Sequence, residues 1–447
     1  MSKYLLVLLL LVLLMVSCDW RCHRQRPSFA LIFPMLISAC VVICFQSVIQ
    51  YEISLLAVTV LFVMMCFFVL GEFSALIVDR SITRKTTFFE IRPSLAFKRL
   101  SLLVVLVNFI LQLNFIRDVG NVYGAADLLS SYAANRLNTL ELQQTGMSKI
   151  DPPGYISLVS VLATGIEILC LHILLLDKLK LKKTKVDKYL LFTVIIYFAS
   201  LFFNSGRAAF VPVVVHLFYL VLRFSNKSLS SLIKTNKVLF SIAGAIIFTL
   251  FLLLGNLREK SSLSGDVNFD VDGNYMTALY IGGPLVGFDI YVNKGMPPYD
   301  NKGFTRNEYI GQGTFKEIYN VLRKFGIDTK RPVLHEEKFY LKEIEANVYT
   351  GFCHLIRDFG LYGSLLFMFV IGAVISHLDV LVQKNRIGYD NVIGLYTMSW
   401  IYFSLLAMFY TNEFYFLFSV DYFVYRVFLL LLFVKFGVKR TKIKLIN

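Results

Sequence analysis

The feature that most constrains this chain is a succession of unbroken apolar runs, each long enough to cross a bilayer as a helix. A helical span needs roughly 20 apolar residues, whereas a strand of a membrane barrel needs about 10 that alternate in polarity. Windows of that length place spans at 4–18, 29–47, 54–78, 100–117, 154–176, 189–204, 208–223, 238–255, 356–378, 391–410 and 414–437. The expected fold is therefore an all-α polytopic membrane protein with about 11 transmembrane helices. Only 17% of its 447 residues are charged and 57% are hydrophobic. A water-facing surface cannot be built from so few charges, which excludes a soluble enzyme, a disordered chain and a single-span receptor.

Charge orients the spans. The basic segments 21–28, 79–99, 177–188 and 223–237, the stretch between spans nine and ten, and the C-terminal tail hold 26 of the 45 cations. All fall on one side under the span count above, and the positive-inside rule makes that side the cytoplasm. The N-terminus is then periplasmic and the C-terminus cytoplasmic. A lipoprotein-type signal ending at Cys18 would put Arg21, Arg24 and Arg26 outside, against that rule, so 4–18 reads as span one. Three segments follow in chain order: a bundle over 1–255, a large periplasmic loop over 256–351, and a C-terminal membrane segment over 352–447.

The seven cysteines are dispersed and form no disulfide framework, and Cys18 and Cys22 lack a second ligand pair for zinc. No phosphate-cradling glycine pattern occurs; Gly282-Gly283-Pro284 reads as a turn. No metal and no cofactor is expected.

The outer loops carry the candidate chemistry. Within 256–351, Phe315, Ile318, Tyr319, Leu322 and Phe325 recur at helical spacing, so 314–325 reads as an amphipathic helix lying on the membrane surface or on other helices. Ser205-Gly206-Arg207 falls in a tight turn between spans, where an arginine binds an anion or snorkels to the headgroups. Arg258 has Glu259 beside it, so a surface pair and a function are equally open. His354 and Asp358 are one helical turn apart, with Arg357 on an adjoining face. A carboxylate beside an imidazole sets its tautomer and raises its basicity; the alternative is an interfacial Asp358–Arg357 pair or a helix-ending aspartate. Glu72, Glu167, Asp421 and Arg426 lie inside spans, where interhelical pairing is the expected role.

At these residues the chain resembles the oligosaccharide repeat-unit polymerases, the Wzy-type O-antigen polymerases of Gram-negative inner membranes. The resemblance rests on the layout and on three stretches: Ser205-Gly206-Arg207; Tyr280 to Asp289; and Asn347-Val348-Tyr349-Thr350 followed by Asp358-Phe359-Gly360. It implies a membrane glycosyltransferase of the GT-C type, working at the periplasmic face. Such an enzyme moves a growing chain from undecaprenyl diphosphate onto another lipid-linked repeat unit. The partners implied are that lipid-linked oligosaccharide and membrane lipid, with a chain-length regulator and a flippase of the same pathway.

Such a transfer must stabilise a developing diphosphate and remove a sugar hydroxyl proton. Guanidinium groups suit the first task, and the candidates are Arg207, Arg258 and Arg357. For the second, His354 oriented by Asp358 is preferred over His335, Glu336 or Glu337. An O-antigen ligase is the alternative within the class. A lipid-linked oligosaccharide flippase is the alternative outside it, and would call for internal repeats.

Overall fold

A computed structural model describes residues 2–19, 24–79, 88–128, 130–135, 138, 150, 152–175, 177–178, 185–201, 215–217, 219–220, 278–296, 310–315, 318–319, 322–323, 325–327, 339–341, 344–346, 349–383, 390–410 and 438–443. Its helices of eleven or more residues are α1 Ser2–Ser17, α2 Pro27–Cys44, α3 Leu55–Asp79, α4 Leu95–Val122, α5 Gly154–Leu175, α6 Lys188–Leu201, α7 Gly283–Asn293, α8 Gly351–Gln383 and α9 Asp390–Ala407. Five of them, α2 to α5 and α8, are long and apolar enough to cross a membrane. That is the mark of a helical membrane protein. Eight of the eleven expected spans coincide with described helices. The spans at 238–255 and 414–437 lie outside the described residues, and of 208–223 only 215–217 and 219–220 are described, all helical.

Three short antiparallel ladders accompany the helices: β1 Cys18–Asp19 with β2 Arg24–Gln25, β3 Phe88–Pro93 with β6 Val438–Ile443, and β4 Phe339–Leu341 with β5 Ile344–Ala346. Cys18 falls at the end of the expected span 4–18, and the other strand residues fall in expected connections or the C-terminal tail. The β3–β6 register pairs Ile91 with Arg440 and Arg92 with Lys439, so two basic segments far apart in sequence share one ribbon and lie on one side of any membrane.

Packing divides the chain into two compact units, each drawn from both halves of the sequence. One comprises Met1–Thr86 and Phe269–Phe423, the other Thr87–Asn268 and Val424–Asn447.

In the first unit, α3 and α8 form the most extensive helix pair. Glycine makes it possible. A methyl group on Gly71 would overlap the Phe369 carbonyl oxygen and stand 2.9 Å from the Ala373 nitrogen. One on Gly372 would overlap the Phe68 carbonyl oxygen. In lipid, where burial of apolar surface does not drive helices together, such backbone approach supplies the dispersion contact. The start of α2 explains one intramembrane acid. Pro27 occupies the first turn and Arg26 provides no side-chain cap. The Ser28 N–H instead donates to Glu72 Oε1 at 2.7 Å, from the middle of α3. Glu72 therefore caps a neighbouring helix, whose N-terminal dipole favours negative charge.

In the second unit, α4, α5 and α6 each pack on the other two. Ser94 caps α4 by accepting from the Phe97 N–H at 3.1 Å. Asp187 caps α6 by accepting from the Tyr189 N–H at 3.1 Å, and its carboxylate also pairs with Lys98 of α4. Local sequence thus starts two helices, and one of the caps links them.

Candidate functional site

The first unit gathers the candidate residues around the N-terminal end of α8. This helix is broken. Gly360 has φ +69° and ψ 172°, a conformation that L side chains rarely adopt. The break separates a short helix over 351–359 from the apolar span that follows, and Ser364 Oγ donates to the Gly360 carbonyl at 2.6 Å. The short helix is enclosed on nearly every face, with Phe352, Cys353, Leu355 and Ile356 all buried. His354 and Asp358 are 5% and 6% exposed, so both candidate proton-handling groups sit inside protein. The entry to the helix is held by the Gly351 N–H, which donates to the Met408 carbonyl at 2.8 Å.

Asp358 has a second role that the sequence did not disclose. Its carboxylate accepts from the Gly313 N–H at 3.1 Å, the Thr314 N–H at 2.6 Å and the Thr314 hydroxyl at 2.7 Å. The Gly311 N–H donates to the Asp358 carbonyl at 3.2 Å. The stretch Gly311-Gln312-Gly313-Thr314 is therefore pressed against Asp358-Phe359. A Cβ on Gly313 would stand 2.8 Å from Asp358 Oδ1, and one on Gly311, at φ +74°, 2.7 Å from the Phe359 ring. Phe359 in turn stacks on Phe367 at 4.9 Å and meets Phe315 edge-on at 6.0 Å. The expected amphipathic helix over 314–325 starts late: residues 310–315 are turns, while 318–319 and 322–323 are helical. Phe315 packs inward, whereas Ile318 and Phe325 of the same apolar face are exposed.

Arg357 lies between two tyrosines. Its guanidinium sits 4.8 Å from the Tyr291 ring centre and 5.2 Å from that of Tyr349, within the range where ring faces attract a cation. Burial pushes the Tyr291 phenol above its ordinary value, and the charge of Arg357 opposes that shift. Tyr291 belongs to α7, whose first turn contains Pro284 after a π-helical turn over Ala278–Gly282. The Gly282-Gly283-Pro284 cluster thus opens a helix instead of forming the expected turn; proline suits the first helical positions because its missing N–H has no partner there anyway.

A second carboxylate anchors α7. Asp289 is 1% exposed. It accepts from the Tyr51 hydroxyl at 2.7 Å, the Ser54 N–H at 2.7 Å, the Ser54 hydroxyl at 2.5 Å and the Asn293 amide at 3.0 Å. Burial, then the bond to Asp289, pushes the Tyr51 phenol well above its usual range. Tyr51 and Ser54 had no signal in the sequence beyond lying at the mouth of a span.

The structure thus brings together His354, Arg357, Asp358, Tyr349, Thr350, Phe359 and Gly360. Thr350 is buried with its hydroxyl 3.8 Å from Cys353 Sγ. Arg207, Arg258, His335, Glu336, Glu337, Asn347, Asp421 and Arg426 lie outside the described residues. Chemically, the cluster offers one aromatic-flanked cation, one imidazole and one hydrogen-bonded carboxylate in a protected setting. No protein-family model, curated protein or solved structure matches the chain.

Proposed function

We propose that the chain polymerises undecaprenyl-diphosphate-linked O-antigen repeat units at the periplasmic face of a bacterial inner membrane. In this reading it is a GT-C-like glycosyltransferase with about 11 spans, a periplasmic N-terminus and a cytoplasmic C-terminus. It uses neither metal nor nucleotide, because the diphosphate leaving group is already activated.

The observation that carries the reading is Arg357, held between Tyr291 and Tyr349 one residue from a carboxylate and one turn from an imidazole. Arg357 stabilises the departing diphosphate, as preorganised cations at a partly dry edge do. His354 takes the proton of the acceptor hydroxyl. Asp358 holds the 311–314 turn against the short helix and adds negative charge one turn from His354. Arg207 and Arg258 complete the diphosphate site. The β3–β6 ribbon supports the topology, since both of its strands come from segments assigned to the cytoplasm.

The test is a deletion strain analysed for surface polysaccharide. A single repeat unit on the lipid core, restored to a ladder by the wild-type chain and not by Arg357→Ala at equal membrane level, supports polymerisation. Carrier-linked chains that build up unattached identify a ligase instead, and units trapped on the inner face identify a flippase.

A further inference from the structure

Glu167 lies in the middle of α5, about 12 Å from its Leu175 end at 1.5 Å per residue. It is 0% exposed, and neither carboxylate oxygen has a hydrogen-bond partner among the described residues. An ionised carboxylate in that position carries a desolvation cost of several kcal/mol with nothing among the described residues to offset it. Glu72 solves the same problem with a backbone donor; Glu167 has none among the described residues. On α4, which packs against α5, Ser101 and Asn108 are buried seven residues apart and so lie on one face. Asn108 Oδ1 has no hydrogen-bond partner among the described residues. A metal ion or organic cation would need room and a shell of ligands. A proton needs neither.

The group also has a route to the aqueous edge. Cys170 follows Glu167 by three residues on α5, within one turn. Its thiol interacts with the Ser101 hydroxyl and lies within range of the charges of Glu167 and Asp187. Ser101 follows Lys98 by three residues on α4, and Lys98 pairs with Asp187, the residue that caps α6. Glu167, Cys170, Ser101 and the Lys98–Asp187 pair thus form a succession of exchangeable groups. It runs from the interior of the second unit to its basic end, which also carries Arg99, Lys185 and Lys188. The remaining titratable groups on these helices near Glu167 are His172 of α5, one turn further along than Ile168, and Tyr197 of α6, whose hydroxyl bonds Thr164 at 2.8 Å. None of them is a cation bonded to Glu167.

We propose that Glu167 is an exchangeable proton-binding site within the second unit, served from its basic end through Cys170 and Ser101. Nothing in the polymerase reading calls for it, and it stands or falls independently of that reading. Protonation places a hydrogen on one carboxyl oxygen, turning an unmatched acceptor into a donor. Exchange passes the proton along hydroxyl and thiol groups that both donate and accept.

The experiment is infrared difference spectroscopy of the full-length protein in lipid at neutral pH, comparing wild type with Glu167→Gln. A carbonyl band of a neutral carboxylic acid, present in wild type and lost in the variant, is expected. In heavy water that band should shift, and Ser101→Ala combined with Cys170→Ala should slow the shift severalfold. Should Glu167→Gln fail to fold, wild-type protein treated with a hydrophobic carbodiimide gives the same answer by peptide mass spectrometry, because the reagent attacks protonated carboxyls. Absence of both the band and the carbodiimide adduct overturns the proposal. A band whose deuterium shift is as fast in the double variant removes the route.

Discussion

Asp358 and Thr314 are joined twice: the carboxylate accepts from the threonine backbone N–H and from its hydroxyl, at 2.6 and 2.7 Å. These two hydrogen bonds between residues 44 positions apart tie the loop to the short helix of α8. Asp358 is thereby both a neighbour of the candidate base and the anchor of the 311–314 turn, and substitutions at Asp358 must be read with both roles in mind.

Replacing Thr314 separates the two roles. Thr314→Val keeps the backbone bond and removes only the hydroxyl, leaving Asp358 one bond short. The expected cost is about 0.5–1.5 kcal/mol, the usual net contribution of one hydrogen bond, because the carboxylate keeps both backbone donors. It should be visible as faster proteolysis near residue 314 in detergent. If the site needs only the charge of Asp358, polymer length in cells should change little.

Arg357→Lys keeps a positive charge but loses the planar fork and the stacking face between Tyr291 and Tyr349. Loss of about 3 kcal/mol of transition-state stabilisation lowers turnover by about two orders of magnitude. A purified-enzyme polymerisation assay with carrier-linked repeats measures it. A lysine variant as active as wild type would show that guanidinium geometry is irrelevant. Arg207→Lys should behave alike, and retained polymer with Arg207→Ala would make that residue a snorkelling one.

The Gly71–Gly372 crossing should tolerate no side chain. Gly71→Leu or Gly372→Leu forces α3 and α8 apart, since the obstructing atoms are backbone carbonyls that cannot turn away. Overpacking of this kind costs about 1–3 kcal/mol. Thermal unfolding in detergent should fall by several degrees for either variant, while Leu366→Ala, on an exposed face of α8, should leave it nearly unchanged.

Alkaline pH should loosen the Tyr51–Asp289 junction. The folded phenol loses its proton at higher pH than the unfolded one, whose ordinary value is 10.0. Its contribution to stability is therefore fully present below about pH 10 and declines as pH rises further towards the folded value. Tyr51→Phe should be less stable at neutral pH by about 1 kcal/mol, yet show a shallower alkaline loss. Unfolding midpoints between pH 8 and 11 would reveal equal slopes if Tyr51 were not responsible.

Topology gives the remaining expectation. Fusions after residue 300 should report the periplasm, and fusions near 90, 183 and 445 the cytoplasm. A cytoplasmic signal at 300 would place the loop over 256–351 on the wrong side for a carrier-linked substrate.

Much of this protein was legible in its sequence, because the information was local. Apolar runs of span length located eight described helices to within a few residues, but the break at Gly360 falls inside the span expected over 356–378 and carries no hydropathy signal. What the tertiary structure alone decided was the partner of each buried polar group. Glu72 reads from sequence as a lone intramembrane acid and proves to cap α2; Glu167 reads identically and finds no such donor among the described residues. Asp289 and Asp358 are satisfied by segments distant in sequence, through glycine and serine backbone that carries no periodic signal. Helical period and hydropathy act over one or two turns. The donors that satisfy a buried carboxylate come from whichever backbone the fold brings within 3 Å, and no local pattern specifies that.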